Sequence, residues 1–340
     1  MNNKDLLNLL DGIQEQNENN DNERILLVDA LNLFFRNFAV LNMINPEGNH
    51  IGGLGGFFRS LGGLIKHLQP TKVYIIFDGI GGSNNRKNLI PEYKSGRTQR
   101  ITNWDVFEDQ DDENESKVNQ IVRIIHYLKI LPVRMAVLDK VEADDIIAYY
   151  STSLIKHPND RIFIVSSDKD YIQLINQNVV VYNPLEKEIL TDTSIRHKYK
   201  IPSHNFIIYK TLLGDNSDKI RGVKGLGDKK LLKLFPELAS DKKITLDDIY
   251  DISASKLKDH VIYSRIVQSI SELETHYKVM DLSNPMVDEH EKAVLDEMAS
   301  SKLPNFIPER FKVLYNEDNI GGIIKNVDYW LKETFQELKK

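Results

Sequence analysis

An α/β fold is predicted here, with a mainly parallel central sheet flanked by helices and a smaller helical module after it. Three observations predict it. Short apolar runs alternate with helical patterns through about residue 202. Three of those runs lead into aspartate: Ile25–Val28 into Asp29, Val73–Phe77 into Asp78, and Ile162–Val165 into Ser166-Ser167-Asp168-Lys169-Asp170. Beyond Pro202 the strand signals thin out and helical periodicity runs to Thr275. Parallel strands of one sheet end at a common edge, where α/β proteins build ligand sites. Acids placed there repel one another unless a cation neutralises them.

Each element follows from its local pattern. Arg24–Val28 reads as a buried strand and Leu33–Val40 as a helix. Ile51–His67 has paired glycines among Phe, Leu and Ile; it lacks the G-x-x-x-x-G-K-[ST] phosphate loop and reads as a closely packed helix. Val73–Phe77 is the next strand. Residues 79–116 read as a long polar insertion, basic first (Arg86, Lys87, Lys94, Arg97, Arg100), then acidic from Asp105 to Glu115. Insertions of that length are functional or disordered, and the acidic run is expected to be a mobile loop. Val118–Leu131 and Val141–Ile155 have helical spacing; Val133–Leu138, Ile162–Val165 and Val179–Tyr182 complete the strands. An amphipathic stretch, Ile323–Leu338, ends the chain.

With 340 residues and 41% hydrophobic content the chain can bury a substantial core. It has no cysteine, which excludes disulfides and thiolate zinc sites. No apolar run reaches the roughly 18–20 residues of a membrane span. Residues 1–22 form a polar tail without a signal-peptide segment. A soluble, cytoplasmic, monomeric protein with no membrane association is expected. The net charge of −6 argues at first against nucleic acid. However, nine acids belong to the candidate site, and two divalent ions would bring −6 + 4 = −2. A local basic track is therefore compatible with the total.

Those nine are Asp29, Asp78, Glu142, Asp144, Asp145, Asp168, Asp170, Asp215 and Asp218. Hard oxygen donors at this density suit Mg²⁺ or Mn²⁺, and two such ions can drive phosphodiester hydrolysis. Asp168 and Asp170 at i,i+2 share one side of an extended segment. None of the 9 histidines accompanies a plausible nucleophile. Two further constellations are basic. Arg221-Gly222-Val223-Lys224-Gly225-Leu226-Gly227-Asp228-Lys229-Lys230 joins a glycine turn to a helix start suited to phosphate; an ordinary helix connection is the competing reading. In Pro91–Arg97, Tyr93 can stack on a base while Lys94 and Arg97 hold phosphate; an exposed basic helix competes.

The ordered set Leu27-Val28-Asp29, Phe77-Asp78-Gly79, Tyr93-Lys94-Ser95-Gly96-Arg97, Glu142-Ala143-Asp144-Asp145, Ser166–Asp170, Gly214-Asp215-Asn216-Ser217-Asp218 and Gly222–Gly227 resembles the flap endonuclease and 5′-nuclease family over roughly residues 24–235. Bacteriophage 5′→3′ exonucleases, phage replication nucleases named ribonuclease H, and the 5′-nuclease domains of bacterial DNA polymerase I belong to it. The resemblance implies a PIN-like catalytic domain (23–202) with a helical arch (about 79–131), a helix-hairpin-helix (H3TH) module (203–282), and a C-terminal helical region (283–340). It implies Asp29, Asp78, Glu142 and Asp144 around a first Mg²⁺, and Asp144, Asp145, Asp168, Asp170, Asp215 and Asp218 around a second, with Mn²⁺ as substitute. Asp29, Asp78 and Asp168 count as catalytic with Lys94 and Arg97, which match residues that engage the scissile phosphate. Arg86, Tyr93, Lys94, Arg97, Gly222, Val223, Gly225, Gly227, Lys229 and Lys230 are the implied DNA contacts, and the hairpin is a candidate K⁺ site. The implied activity is structure-specific hydrolysis of branched or 5′-flap DNA in replication, with RNA–DNA hybrid as a further substrate. The rivals are a noncatalytic branched-DNA-binding protein and a PIN-type ribonuclease. The tail and the last fifty residues match no motif; a sliding clamp or single-strand-binding protein is a candidate partner there. A phage source would place the protein in host cytoplasm.

Overall fold

The computed structural model describes residues 22–96, 102–103 and 105–339. The chain runs β1 (Arg24–Asp29), α1 (Ala30–Val40), α2 (Gly52–Leu68), β2 (Lys72–Ile76), α3 (Asn84–Leu89), α4 (Gln110–Leu128), β3 (Arg134–Ala136), α5 (Ala143–Ser153), β4 (Arg161–Val165), a 3-10 turn (Lys169–Leu174), β5 (Val179–Asn183), β6 (Glu188–Leu190) and α6 (Asp192–Tyr199). There follow α7 (Phe206–Leu213), a small ribbon of β7 (Gly214–Asp215) and β8 (Ile220–Arg221), α8 (Asp228–Leu234), α9 (Leu246–Ser255), α10 (Val261–Gln268), α11 (Ile270–Met280), α12 (Glu289–Ser300), α13 (Pro308–Glu317) and α14 (Val327–Phe335).

The main sheet has the order β3-β2-β1-β4-β5-β6. The first five strands are parallel; β6, too short to signal itself in sequence, pairs antiparallel with β5. Alternate side chains feed two cores, as a period of two requires. Leu26 and Val28 of β1, with Val73 and Ile75 of β2, face α1, α2, α4 and the C-terminal helices through Phe34, Phe58, Tyr127, Phe311 and Trp330. Ile25, Leu27, Tyr74 and Ile76 face α5, α7 and the helices beyond. The glycines of α2 allow the close packing expected of them: a Cβ at Gly62 would lie 2.2 Å from Trp330 Nε1, and one at Gly55 would lie 2.1 Å from Ile323 Cδ1.

Two expectations change. Helix α1 begins at Ala30, not Leu33, because the Asp29 side chain caps it through Asn32 N–H. The acidic run is not a mobile loop. Asp109 caps α4 by accepting from Asp112 N–H, and Asp111, Asp112 and Glu113 fill the first turn, where the helix dipole favours negative charge. Helix α4 therefore starts eight residues before the apolar stripe that signalled it.

Candidate active site

Strands β2, β1 and β4 are neighbours, so Asp78, Asp29 and Asp168 leave the sheet side by side. Asp29 is 8% exposed and also accepts from Ser166 Oγ at 3.2 Å. Burial pushes its carboxyl up to about 8, with Asp144, Asp78 and Asp168 adding repulsion against the single opposing Asn32 amide. Asp78 accepts the Ala143 amide at 2.8 Å, fixing the start of α5 against the end of β2. Asp144 projects from that first turn and accepts from Tyr171 OH at 2.5 Å.

Asp168 caps the 3-10 turn and accepts the Asp170 amide at 2.9 Å. The residue is exposed, yet surrounding protein and the nearby Asp144 raise its carboxyl to about 6, opposed by Lys210. Carboxylate oxygens of Asp170, Asp215 and Asp218 all lie within 4.8 Å of one another. That is a hard-donor set fitted to a divalent cation. Lys210, 7% exposed, bridges Asp170 and Asp215, the latter at 2.8 Å. Burial alone would raise Asp215; Lys210 and Ser217 instead hold it at about 2.

Other expected site residues are placed differently. Asp145 does not join the acidic edge. It is 1% exposed, pairs with both terminal nitrogens of Arg86 at 2.5 and 2.9 Å, and accepts the Met286 amide at 2.9 Å. Arg86 is 3% exposed and is thus a buried cation, not a DNA contact. Glu142 spends its oxygens on Arg86 (2.9 Å), Lys94 Nζ (2.7 Å) and Tyr93 OH (3.1 Å). Tyr93 is 3% exposed, so its ring packs in the core and is not free to stack on a base. Lys94 lies at the rim with its Nζ 4.9 Å from that ring and its amide donating to Asp218 O at 3.1 Å. Arg97 lies outside the described residues.

In the hairpin, Val223 is buried and its amide donates to Leu212 O at 2.8 Å, so it supports the turn from inside. Gly222 permits a close approach: a Cβ there would stand 2.0 Å from Leu213 O. Gly225 has φ +81, the left-handed region that favours glycine. Gly227 caps α8, while Lys229 and Lys230 are exposed. Arg265 Nη1 donates to Lys224 O at 2.6 Å and Lys230 Nζ to Gly225 O at 2.9 Å.

Lys210 and Tyr171 are the site residues that sequence reasoning missed. Lys210 had a readable signal: it is the single charge in the apolar helix Phe-Ile-Ile-Tyr-Lys-Thr-Leu-Leu, five residues before Asp215. Tyr171 looked like any core aromatic.

The family model described as the 5′-3′ exonuclease N-terminal, resolvase-like domain matches residues 24–200. A 5′-3′ exonuclease of Buchnera aphidicola is 29% identical over 83% of this chain and 95% of its own length. DNA polymerase I of Lactococcus lactis is 30% identical over 85% of this chain, which spans only 32% of that polymerase. Among solved structures, the bacteriophage T5 flap endonuclease in a complex with DNA and metal ions aligns with TM-score 0.62 at 20% identity, covering 88% of this chain and 100% of that one. That likeness carries the PIN-like fold. The family model covers more than half of the chain and contains the ends of β1, β2 and β4; this chain belongs to the 5′-3′ exonuclease family.

Proposed function

We propose that this protein is a structure-specific 5′-nuclease that hydrolyses phosphodiesters near the 5′ end or at a flap junction of branched DNA. The observation that carries this reading is the convergence of Asp29, Asp78, Asp144 and Asp168 at one sheet edge beside the Asp170–Asp215–Asp218 cluster. Asp29, Asp78 and Asp144 would hold one Mg²⁺ or Mn²⁺, and Asp168, Asp170, Asp215 and Asp218 a second. When bound, the metals supply activation of the attacking water and neutralise charge at the phosphate.

The protein's own groups do the rest. Lys94, half-buried and paired with Glu142, is proposed to exchange that carboxylate for a substrate phosphate. Arg97 is proposed to assist it. Lys229 and Lys230, exposed beside the hairpin, are proposed to contact a duplex backbone, Lys230 by giving up its bond to Gly225 O; such contacts select shape over sequence. A K⁺ at the hairpin would compete with Arg265 and Lys230 for the Lys224 and Gly225 carbonyls. RNA–DNA hybrid is a further proposed substrate. A cytoplasmic monomer is proposed, with the terminal segments as docking places for a sliding clamp or single-strand-binding protein. No helix among the described residues is long and apolar enough to cross a membrane.

The test is cleavage of a 5′-labelled flap duplex and a matched RNA strand, with Mg²⁺ and with EDTA, beside Asp168→Asn. Metal-dependent flap cleavage lost in the variant is expected. Tight flap binding with no product in Mg²⁺ or Mn²⁺ would leave a noncatalytic DNA-binding protein, and cleavage confined to single-stranded RNA would leave a ribonuclease.

A further inference from the structure

A cavity of about 390 Å³ lies between α1, α2 and the turn joining β5 to β6. Arg36, Arg59 and Lys187 line it together with His67 and Tyr182, and no aspartate or glutamate does. In a chain of net charge −6, three cations around one hollow without a carboxylate form a local positive well. Among the described residues, none of the three side chains has a hydrogen bond or ion pair. Arg36 Nε is moreover sequestered from solvent with no acceptor. A buried donor without an acceptor is unfavourable, so this donor is suited to receive an anion.

The position adds chemistry. Helix α1 starts at Asp29, and Arg36 stands seven residues further, about 10 Å along the axis at 1.5 Å per residue. The other wall is tied to the same edge, because Ser166 N–H donates to Tyr182 O and Ser166 Oγ to Asp29. Successive phosphates of one strand advance about 3.4 Å along a duplex axis, so about 10 Å matches some three nucleotide steps.

We infer that this cavity is a second nucleotide-phosphate site, which takes a backbone phosphate of the bound nucleic acid about three nucleotides from the metal-binding edge. The inference rests on the nuclease reading. A free mononucleotide presents the same anion, and the test separates the two sources.

The measurement is equilibrium binding of flap DNA in EDTA over stepped KCl, for wild type, for Arg36→Gln with Arg59→Gln, and for Lys187→Gln. Lys187 lies on an exposed turn, so its variant reports charge without disturbing the cores. The double variant is expected to bind about 10-fold more weakly at low salt, with a log K against log salt slope shallower by about one to two. Lys187→Gln should move both in the same direction by less. Deoxynucleoside monophosphate is titrated in parallel; binding that the double variant loses, with DNA affinity unchanged, would assign the site to free nucleotide and overturn the backbone assignment. Unchanged DNA affinity and slope with no nucleotide binding would overturn the site altogether. Flap cleavage by wild type in Mg²⁺ is run beside these assays: if it persists, only this inference has failed, and if it is absent, the nuclease reading has failed first.

Discussion

Arg86, on α3, ties that helix to two others. Its guanidinium pairs with Asp145 and Glu142 around the start of α5, and its Nε donates to Val279 O of α11 at 2.9 Å. Both carboxylates are buried, so removing the cation strands Asp145 without a counter-charge and leaves Glu142 with Lys94 alone. Breaking a buried pair from one side costs about 3–5 kcal/mol. Arg86→Leu should therefore lower the unfolding free energy by about that amount in urea titration, and Arg86→Leu with Asp145→Leu should recover part of it. The adjacent acids should separate cleanly. Asp145→Asn is expected to lower Tm, while Asp144→Asn keeps Tm and abolishes cleavage. Loss of cleavage in Asp145→Asn at unchanged Tm would return Asp145 to the metal site and defeat this assignment.

Helix α4 shows what an acidic segment does when it lies at a helix start. Asp109 caps by accepting from Asp112 N–H at 2.9 Å, and Glu113, fully buried, accepts from Thr102 N–H at 2.9 Å beside Lys117 Nζ at 3.4 Å. Losing an N-cap costs about 0.5–2 kcal/mol. Asp109→Ala should lower Tm accordingly and leave DNA affinity unchanged; a gain in DNA affinity at constant Tm would mean that the run repels DNA instead. The three Asp-terminated strands, their parallel order and the glycine-packed α2 were legible, because each rests on local periodicity and on the rule that parallel strands share an edge. The fates of Arg86, Tyr93 and Asp145 were not. Each side chain is buried by partners far away in sequence, Arg86 by Asp145 and Val279 and Asp145 by Met286, and no local pattern encodes such a pairing. The α4 boundary was missed for a related reason: a cap with a first turn of acids reads as a loop when only the apolar stripe is followed.

For the whole molecule, the acidic edge couples folding to pH and to metal. Asp29 titrates near 8 in the folded protein against an ordinary 3.8, so between those values the folded state keeps a proton that the unfolded chain has released. Stability then falls as pH rises from about 4 to about 8. Asp168, raised to about 6, acts in the same direction between about 4 and 6. Asp215, held at about 2, acts oppositely: its contribution is present above the ordinary value and is lost as pH falls through about 2. Burial raises Asp78 and Glu142 as well, whereas His50 and His276, lowered by burial, act oppositely below their ordinary 6.5. Above about 6.5 the histidines no longer oppose Asp29, so Tm in EDTA should decline from there to pH 8, and Asp29→Asn should flatten that decline. Divalent cations bind the ionised carboxylates and not the protonated ones, so the gain in Tm on adding Mg²⁺ should be small at pH 5 and grow toward pH 8. A gain independent of pH would mean that the cation binds away from these carboxylates. A decline in EDTA that survives Asp29→Asn undiminished would place its origin at groups other than Asp29.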